Sequence, residues 1–224
     1  MEIKPIAYIK TDFKEKFGIP RQSGIAKNLT AEIIFEKPYR NPDALRGIEG
    51  FSHLWLIFDF SKAHTSEWSP TVRPPKLGGN ERRGVFATRS PFRPNSLGLS
   101  CVKLIEVKHT ENHGDVLVVS GADLLDNTPI YDIKPYIPYA DCVSDAVGGF
   151  TEEIDYKKLK VIFLDGISDI IPKEKLQGLT EILAEDPRPS YQNDSERIYN
   201  MLFAEFDISF KIDGNTLTVI NIKT

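Results

Sequence analysis

Residues 99–123 read LSCVKLIEVKHTENHGDVLVVSGAD, two stretches rich in β-branched and aliphatic residues on either side of a polar segment. This composition predicts β-strands at Leu99–Val107 and Asp115–Asp123. Similar short segments occur at Glu2–Lys10, Thr30–Phe35, Ser52–Phe60, Val85–Thr88 and Ile130–Ile133. Their length and spacing are typical of an all-β barrel or sandwich. The clearest helical signal before residue 150 is short, with Asn41 as N-cap and Pro42 in the first turn.

The pattern changes around Asp145–Glu153, and we place a domain boundary between residues 148 and 149. Beyond it, Lys160–Leu164 is predicted as a strand and Lys173–Leu183 as an amphipathic helix. Alternating apolar residues on both sides of Asp213-Gly214 then predict a tight hairpin. The predicted fold is mainly β, with an antiparallel β-barrel domain (1–148) and a small C-terminal α+β domain (149–224) of the β-α-β-β type.

Composition and charge limit the classes of function. The chain has 224 residues, 41% of them hydrophobic, and a net charge of −4, so it can bury a full core. Residues 151–224 hold 9 Lys and Arg against 14 Asp and Glu, so a polyanionic partner should meet the N-terminal part. The absence of a long apolar run or signal-peptide core favours a cytoplasmic protein without membrane contact. The isolated Cys101 and Cys142 indicate neither a disulfide framework nor a metal site.

The segment Val72–Gly98, VRPPKLGGNERRGVFATRSPFRPNSLG, is basic and conformationally restricted. Its cations face a single acid, Glu81, and they are Arg73, Lys76, Arg82, Arg83, Arg89 and Arg93. Arginine forks suit phosphates and carboxylates, so we interpret the segment as an anion-recognition loop. The alternative is a solvated, Pro-rich linker. Apolar alternation in Gly84-Val85-Phe86-Ala87 and in Leu97–Leu104 predicts strands beside the arginines and favours a site.

A second polar segment follows the predicted strand at Asp115–Asp123. In a β-like run, Asp132, Lys134 and Tyr136 would project to one face, and Tyr131, Ile133 and Pro135 to the other. An acid, a base and a phenol would then converge. The alternative is an edge strand with a surface ion pair, worth only about 0–1 kcal/mol of stability.

Motifs of the common nucleotide sites are missing from the sequence. It contains no Gly-x-Gly-x-x-Gly after a strand, no Walker loop and no Gly-x-Ser-x-Gly elbow. A Rossmann-type dinucleotide or nucleoside site is therefore disfavoured.

Several long motifs nevertheless follow one another in a known order. They are PRQSG at Pro20–Gly24, GFSHLWLIF at Gly50–Phe58, the basic segment at Thr71–Gly98, LLDNTPIYDIKPYIPYAD at Leu124–Asp141 and DPRPSYQ at Asp186–Gln192. Together they resemble the TrmO (YaeB/TsaA-like) family of S-adenosylmethionine-dependent tRNA methyltransferases. The resemblance covers nearly the whole chain, including the smaller domain of the bacterial members.

The resemblance implies a β-barrel methyltransferase that works as a homodimer. Its members methylate the exocyclic nitrogen of threonylcarbamoyladenosine beside the anticodon of threonine tRNA. Carried over by position, the methyl donor S-adenosylmethionine would contact Ser23, Gly24, Ile25, Ser61, Lys62, Arg89, Leu99, Ser120, Gly121, Ala122 and Asp123. Of these, Ser61 and Lys62 are aligned only by their spacing to Trp68.

The target nitrogen is conjugated to the purine and a carbonyl, so it is a poor nucleophile until its proton leaves. We therefore expect Asp132 or Tyr131 to take or relay that proton, and Lys134 to stabilise charge on the ureido oxygen. The remaining polar residues would bind tRNA phosphates, the threonyl carboxylate or the anticodon bases, and they are Arg21, Lys76, Arg82, Arg83, Arg93 and Tyr136. No metal is expected.

Two other functions are compatible with the same residues. A binding module without catalysis would keep the basic loop but would have no need of a donor pocket. A methyltransferase of the same fold could also act on another modified nucleoside or a small molecule.

Overall fold

The structure is a computed structural model that describes residues 2–77, 81–154, 156–188, 192 and 194–224. The strands of these residues are β1 (Ala7–Lys10), β2 (Thr30–Phe35), β3 (His53–Asp59), β4 (Thr71–Val72), β5 (Arg83–Gly84), β6 (Leu97–Thr110), β7 (Gly114–Ser120), β8 (Thr128–Pro135), β9 (Lys160–Phe163), β10 (Tyr199–Phe203), β11 (Phe206–Asp213) and β12 (Thr216–Lys223). The α-helices are α1 (Pro138–Asp141) and α2 (Lys173–Ala184).

Six strands form an antiparallel sheet in the order β1-β2-β7-β6-β3-β8, and β8 closes it into a barrel by also pairing with β1. Because neighbouring strands alternate in direction, the β1–β2, β3–β6 and β7–β8 connections all leave the same end, which we call the loop end. Strand β2 has the predicted bounds, whereas β6 extends beyond the prediction at both ends. The mainly β, antiparallel character is confirmed.

Alternation along the strands fills the barrel interior. Leu54, Leu56 and Phe58 of β3 point inward and are buried, and they meet the inward residues of the other five strands. Gly98 of β6 lies directly against the Phe58 ring, where a Cβ atom would come within 2.2 Å of it. The barrel therefore has a filled hydrophobic core, and any site must lie at its ends or on its outer wall.

The C-terminal unit is a four-stranded sheet in the order β10-β11-β12-β9, in which only the β12–β9 pair is parallel. The sequence predicts three strands, and the additional one is β10. It escapes prediction because Ala204-Glu205 separates it from β11, with Ala204 at a φ of 52°, and alanine gives no turn signal. The hairpin turn lies one residue later than predicted, at Gly214-Asn215.

A second hydrophobic core lies between this sheet and α2, and it includes Leu179, Leu183 and Phe210. Residues 11–29, which join β1 to β2 and are called the β1–β2 loop below, contribute Phe13, Ala26 and Leu29 to the same core. The loop thus belongs to the barrel by sequence and to the C-terminal unit by packing.

Two local predictions in the N-terminal part have different outcomes. Asn41 caps the 3-10 helix Pro42–Leu45, and its side chain accepts a hydrogen bond from the Asp43 N–H at 3.0 Å, as predicted. The strand predicted at Val85–Thr88 is wrong, because Val85–Ala87 forms a 3-10 helix. Within this turn Val85 is buried in the protein and Phe86 is exposed. The pattern that suggested a strand therefore comes from a single helical turn with one buried residue.

Candidate active site

Two glycines join the β1–β2 loop to the β7–β8 connection at the loop end. The Gly24 N–H donates to the Gly121 carbonyl at 2.8 Å, and the two residues have φ values of 77° and 75°. A Cβ atom on Gly121 would lie 3.1 Å from the Gly24 Cα, so the two backbones approach too closely for a side chain there. Ser23, Gly24 and Ile25 are thereby brought beside Ser120–Asp123, as the resemblance implies.

The Asp123 carboxylate lies beside this junction, only partly accessible to solvent. It accepts a hydrogen bond from Ser100 Oγ at 2.5 Å and another from the Ser23 N–H. Burial raises the pKa of Asp123, while the hydrogen bond from Ser100, the nearby charge of Arg89 and the bond from Ser23 act in the opposite direction. The carboxylate is thus held in place and retains capacity to accept further hydrogen bonds.

Arg89 reaches this cluster from the basic loop. Its guanidinium donates to the Gln22 side-chain carbonyl, and its charge acts on Asp123, so Arg89 lies between the β1–β2 loop and the β7–β8 connection. Sequence reasoning gave no role to Gln22 or Ser100. Ser100 could have been found, because it is a polar residue at an inward position of an alternating strand, where burial requires a partner.

The remaining proposed donor residues surround the same end of the barrel. The Lys62 carbonyl accepts from Lys16 Nζ at 2.6 Å, which places the exposed Ser61-Lys62 turn against the β1–β2 loop. Ser120 and Ala122 are buried. Leu99 projects outward from β6, opposite Ile57, and is exposed.

Asp132 and Lys134 lie on the outer wall of the barrel, on β8. Lys134 Nζ is 3.0 Å from Asp132 Oδ2, and the two side chains are 63% and 45% exposed respectively. Asp132 Oδ1 also accepts from the Ile133 N–H at 2.9 Å. The same-face placement predicted for the pair is therefore seen as a close, exposed ion pair.

Tyr131 departs from the predicted alternation. A β-bulge in the β3–β8 pairing lets Ile130 oppose Phe58 and Asp132 oppose Ile57, which leaves Tyr131 without a partner. Ile133 packs against the barrel core, whereas Tyr131 lies beside Asp59 on the outer wall, so the expectation that they share a face is wrong. Burial and the Asp59 charge raise the pKa of Tyr131, and the phenol stays protonated at neutral pH.

Strand β3 lies between Leu99, one of the proposed donor residues, and the Asp132–Lys134 ion pair. Ile57 pairs with Asp132 on one side and with Leu99 on the other, so these three residues form a row on the outer wall. Two strand spacings of about 4.8 Å separate Asp132 from Leu99. Within the described residues, no hydrogen bond or ion pair joins Asp132 or Lys134 to the arginines of the basic loop.

The cations proposed for tRNA binding already have protein partners. Arg83 pairs with Glu81 at 2.7 Å, Arg82 Nε donates to Thr71 Oγ1 at 2.7 Å, and Arg93 donates to the Thr88 carbonyl at 3.1 Å. Arg21 donates to the Arg188 carbonyl at 3.2 Å, at the contact with the C-terminal unit. These bonds orient the guanidinium groups and leave other N–H groups of each free for an anion. The side chain of Lys76 and the residues Gly78, Gly79 and Asn80 lie outside the described part of the structure.

Exposed aromatic rings accompany these cations. Trp68 and Phe86 lie 6.1 Å apart by ring centroids and are 49% and 71% exposed, and Phe92 is also exposed. Tyr136 lies on the outer wall, 5.8 Å from the ring of Trp55, whose indole N–H donates to Asp141 at 3.0 Å. The sequence analysis singled out Tyr136 and missed the Trp68–Phe86 pair.

Neither a metal-binding cluster nor a membrane-spanning helix occurs in the described residues. They contain no group of three or more His, Cys, Asp or Glu side chains that could hold a metal ion. In the same residues, no helix has the length and apolar character to cross a bilayer.

Comparison with known proteins agrees with this geometry. Residues 8–142 match the model of the tRNA-methyltransferase O N-terminal domain, and residues 157–224 match that of the TrmO C-terminal domain. A tRNA (adenine(37)-N6)-methyltransferase of Escherichia coli is 39% identical over 221 residues, covering 94% of this chain and 93% of that protein. A Pseudomonas aeruginosa relative named as an S-adenosylmethionine-dependent methyltransferase is 37% identical over 213 residues, covering 92% and 90%.

A solved structure extends the similarity to the whole fold. The crystal structure of TrmO from Pseudomonas aeruginosa superposes with a TM-score of 0.80 at 31% identity, and the match covers 100% of this chain and 99% of that one. From both family models and these relatives, the chain belongs to the TrmO family of S-adenosylmethionine-dependent tRNA (adenine(37)-N6)-methyltransferases.

Proposed function

We propose that the chain transfers a methyl group from S-adenosylmethionine to the exocyclic nitrogen of threonylcarbamoyladenosine, beside the anticodon of threonine tRNA. The observation that carries the proposal is the meeting of three distant segments, Ser23–Ile25, Arg89 and Ser120–Asp123, around one partly buried carboxylate. We further propose that residues 1–148 form the catalytic domain, that 149–224 form the second domain and that the protein acts as a homodimer.

The residues at the loop end fit the donor by their chemistry. S-adenosylmethionine supplies an electrophilic methyl group on a sulfonium, and it carries a carboxylate, a ribose and an adenine. Arg89 suits the carboxylate, and Asp123 can accept from hydroxyl groups or face the positive sulfonium. The bare backbone at Gly24 and Gly121 allows flat groups to approach closely. Ser61, Lys62 and Leu99 complete the proposed donor site.

Asp132 is the better of the two candidate bases on β8. It is an exposed carboxylate in an ion pair with Lys134, whereas the raised pKa of Tyr131 leaves that phenol protonated, so Tyr131 can only relay a proton. Lys134 would stabilise negative charge that develops on the ureido oxygen. Orientation of the target nitrogen would supply much of the remaining acceleration.

Recognition of the tRNA would use the basic loop and its aromatic neighbours. Arg21, Lys76, Arg82, Arg83 and Arg93 are proposed to contact phosphates and the threonyl carboxylate. Anticodon-loop bases can be unstacked and placed on aromatic rings, and Tyr136, Phe92 and the exposed Trp68–Phe86 pair offer such surfaces.

The decisive experiment uses labelled S-adenosylmethionine and two preparations of threonine tRNA, one carrying and one lacking the threonylcarbamoyl group. The proposal expects label only in the carrying tRNA. Equal labelling of both preparations would mean that the threonylcarbamoyl group is not required and that the methyl group goes to a different acceptor in the tRNA. No donor binding and no labelling would instead favour the non-catalytic RNA-binding module.

A further inference from the structure

We propose that the C-terminal unit holds the β1–β2 loop in its donor-binding form, so donor affinity depends on contacts outside the donor site. The proposal rests on the proposed function, because it takes Ser23–Ile25 as donor-binding residues. It assigns a positioning role to a domain that is net acidic and therefore poorly suited to bind tRNA by charge alone.

The loop is long and irregular, and its apolar residues are anchored in the second core. Phe13, Ala26 and Leu29 are buried there, and the Phe17 ring stacks on Phe210 with centroids 6.4 Å apart. A Cβ atom on Gly18 would lie 2.0 Å from Met201 Sδ, so the loop backbone lies directly on β10. A loop of this length keeps a single shape only when such contacts offset its conformational entropy.

Polar contacts at both ends of the loop reinforce the anchoring. Lys175 Nζ of α2 lies 2.6 and 2.5 Å from the two Asp12 carboxylate oxygens, and both side chains are mostly buried. At the other end, Asn28 bonds to the Glu181 carboxylate through its backbone and its side chain. Helix α2 therefore clamps the loop on both sides of Ser23–Ile25.

The opposite side of the loop contacts the barrel domain through polar interactions, which include backbone hydrogen bonds, the Lys14–Asp126 ion pair and the side-chain hydrogen bonds of Lys16 and Gln22. Gly24 donates to Gly121, and Asp126 donates to the Phe13 carbonyl at 2.8 Å. The apolar anchoring of the loop lies in the C-terminal core, whereas the barrel has its own separate core. Loss of the α2 contacts should therefore open the loop while the barrel stays folded. The apparent donor affinity then falls in proportion to the fraction of molecules with a closed loop.

The test uses the full chain and Lys175→Ala, with Lys173→Ala as the control on the exposed face of the same helix. Isothermal titration with S-adenosylhomocysteine should show affinity reduced about fivefold or more for Lys175→Ala and unchanged for Lys173→Ala. Amides 18–27 should exchange faster, while those of β2 and β3 keep their protection. The KM for the donor should rise, and kcat at saturating donor should stay within about twofold.

A second variant guards against misfolding of the first. Phe17→Ala should reproduce the loss and Phe17→Leu should restore most of the affinity, because Leu refills the apolar contact. Wild-type affinity in both Lys175→Ala and Phe17→Ala would overturn the inference and leave the proposed function standing. Equal loss of amide protection in loop and barrel would also overturn it. Failure of the wild-type protein to bind S-adenosylhomocysteine would overturn the inference together with the proposed donor site.

Discussion

Two aspartates, one just after β7 and one on β8, occupy opposite environments. Asp123 is mostly buried at the loop end and receives hydrogen bonds from Ser100 and the Ser23 backbone, with Arg89 nearby. Asp132 lies on the outer wall of the barrel, 45% exposed, with Lys134 as its ion-pair partner. The burial of Asp123 ties it to the fold, whereas the contacts of Asp132 in the described residues are exposed and are made with Ile133 and Lys134 of its own strand.

This difference separates binding from chemistry. A buried carboxylate with fixed donors is preorganised to hold a ligand, and its removal should alter stability as well as affinity. An exposed ion pair contributes little to stability, so a large effect of its removal would have to come from the reaction. The difference in environment therefore supports the proposal that Asp123 contacts the donor and that Asp132 takes the proton.

The largest expected effect is on turnover at the outer wall. Asp132→Asn should lower kcat by about 10²- to 10⁴-fold because it removes a positioned base, and Lys134→Ala should cost about tenfold or more. The free energy of unfolding should change by less than about 0.5 kcal/mol in either variant. Single-turnover assays and urea denaturation measure the two quantities, with Asp207→Asn as an exposed strand control. A fall in kcat of less than about tenfold for Asp132→Asn would contradict a catalytic role, and the ion pair would then be an ordinary exposed salt bridge.

A smaller effect should appear in tRNA affinity when the basic loop is neutralised. Replacement of Arg82 and Arg83 by Ala should weaken tRNA binding about tenfold and reduce its salt dependence by roughly one to two phosphate contacts. Donor affinity should be unchanged, because neither guanidinium touches the Asp123 cluster. Filter binding across a range of salt concentrations tests this, with the exposed Lys223→Ala as the control. If the dependence of tRNA affinity on salt concentration is unchanged, the two arginines do not contact tRNA phosphates.

The smallest effect concerns stability and pH. The folded state raises the pKa of Asp123, so the ionised carboxyl opposes folding, and its contribution is most favourable below the unfolded pKa of about 3.9. That contribution is lost as the pH rises through the folded pKa. Asp123→Asn should therefore be modestly more stable than wild type at pH 7, and the gap should shrink as the pH falls towards 4. Urea denaturation at several pH values measures it. A stability difference between the variant and the wild type that widens on acidification would contradict a raised pKa for Asp123.

The sequence predicted those parts of the fold whose signals are local. The content of β-branched and aliphatic residues identified β2 with its observed bounds and located β7, although the predicted strand ended three residues too late, at Asp123 instead of Ser120. The Asn41 cap was correct because both partners lie within three residues. The group of proposed donor residues around Asp123 was assembled only through the family resemblance, since Ser23–Ile25, Arg89 and Ser120–Asp123 are far apart in sequence. No local pattern states that Gly24 and Gly121 approach each other.

Other features could not be predicted because their partners are remote. Phe13 and Phe17 lie in a segment without periodicity, and their partners Phe203 and Phe210 are nearly 200 residues away. The bulge that turns Tyr131 away from Ile133 depends on the pairing of β8 with β3 and has no signature in β8 itself. Val85 lies in the apolar run Val85-Phe86-Ala87 yet begins a 3-10 turn, because its N–H bonds to the Pro70 carbonyl instead of to a neighbouring barrel strand.

The most direct test of the division between the two aspartates is a titration of Asp123→Asn and Asp132→Asn with S-adenosylhomocysteine. We predict that Asp123→Asn weakens binding about tenfold or more, since a charged hydrogen-bond acceptor is lost, while Asp132→Asn stays within about twofold of wild type. The opposite order, with affinity lost at Asp132 and kept at Asp123, would contradict the account.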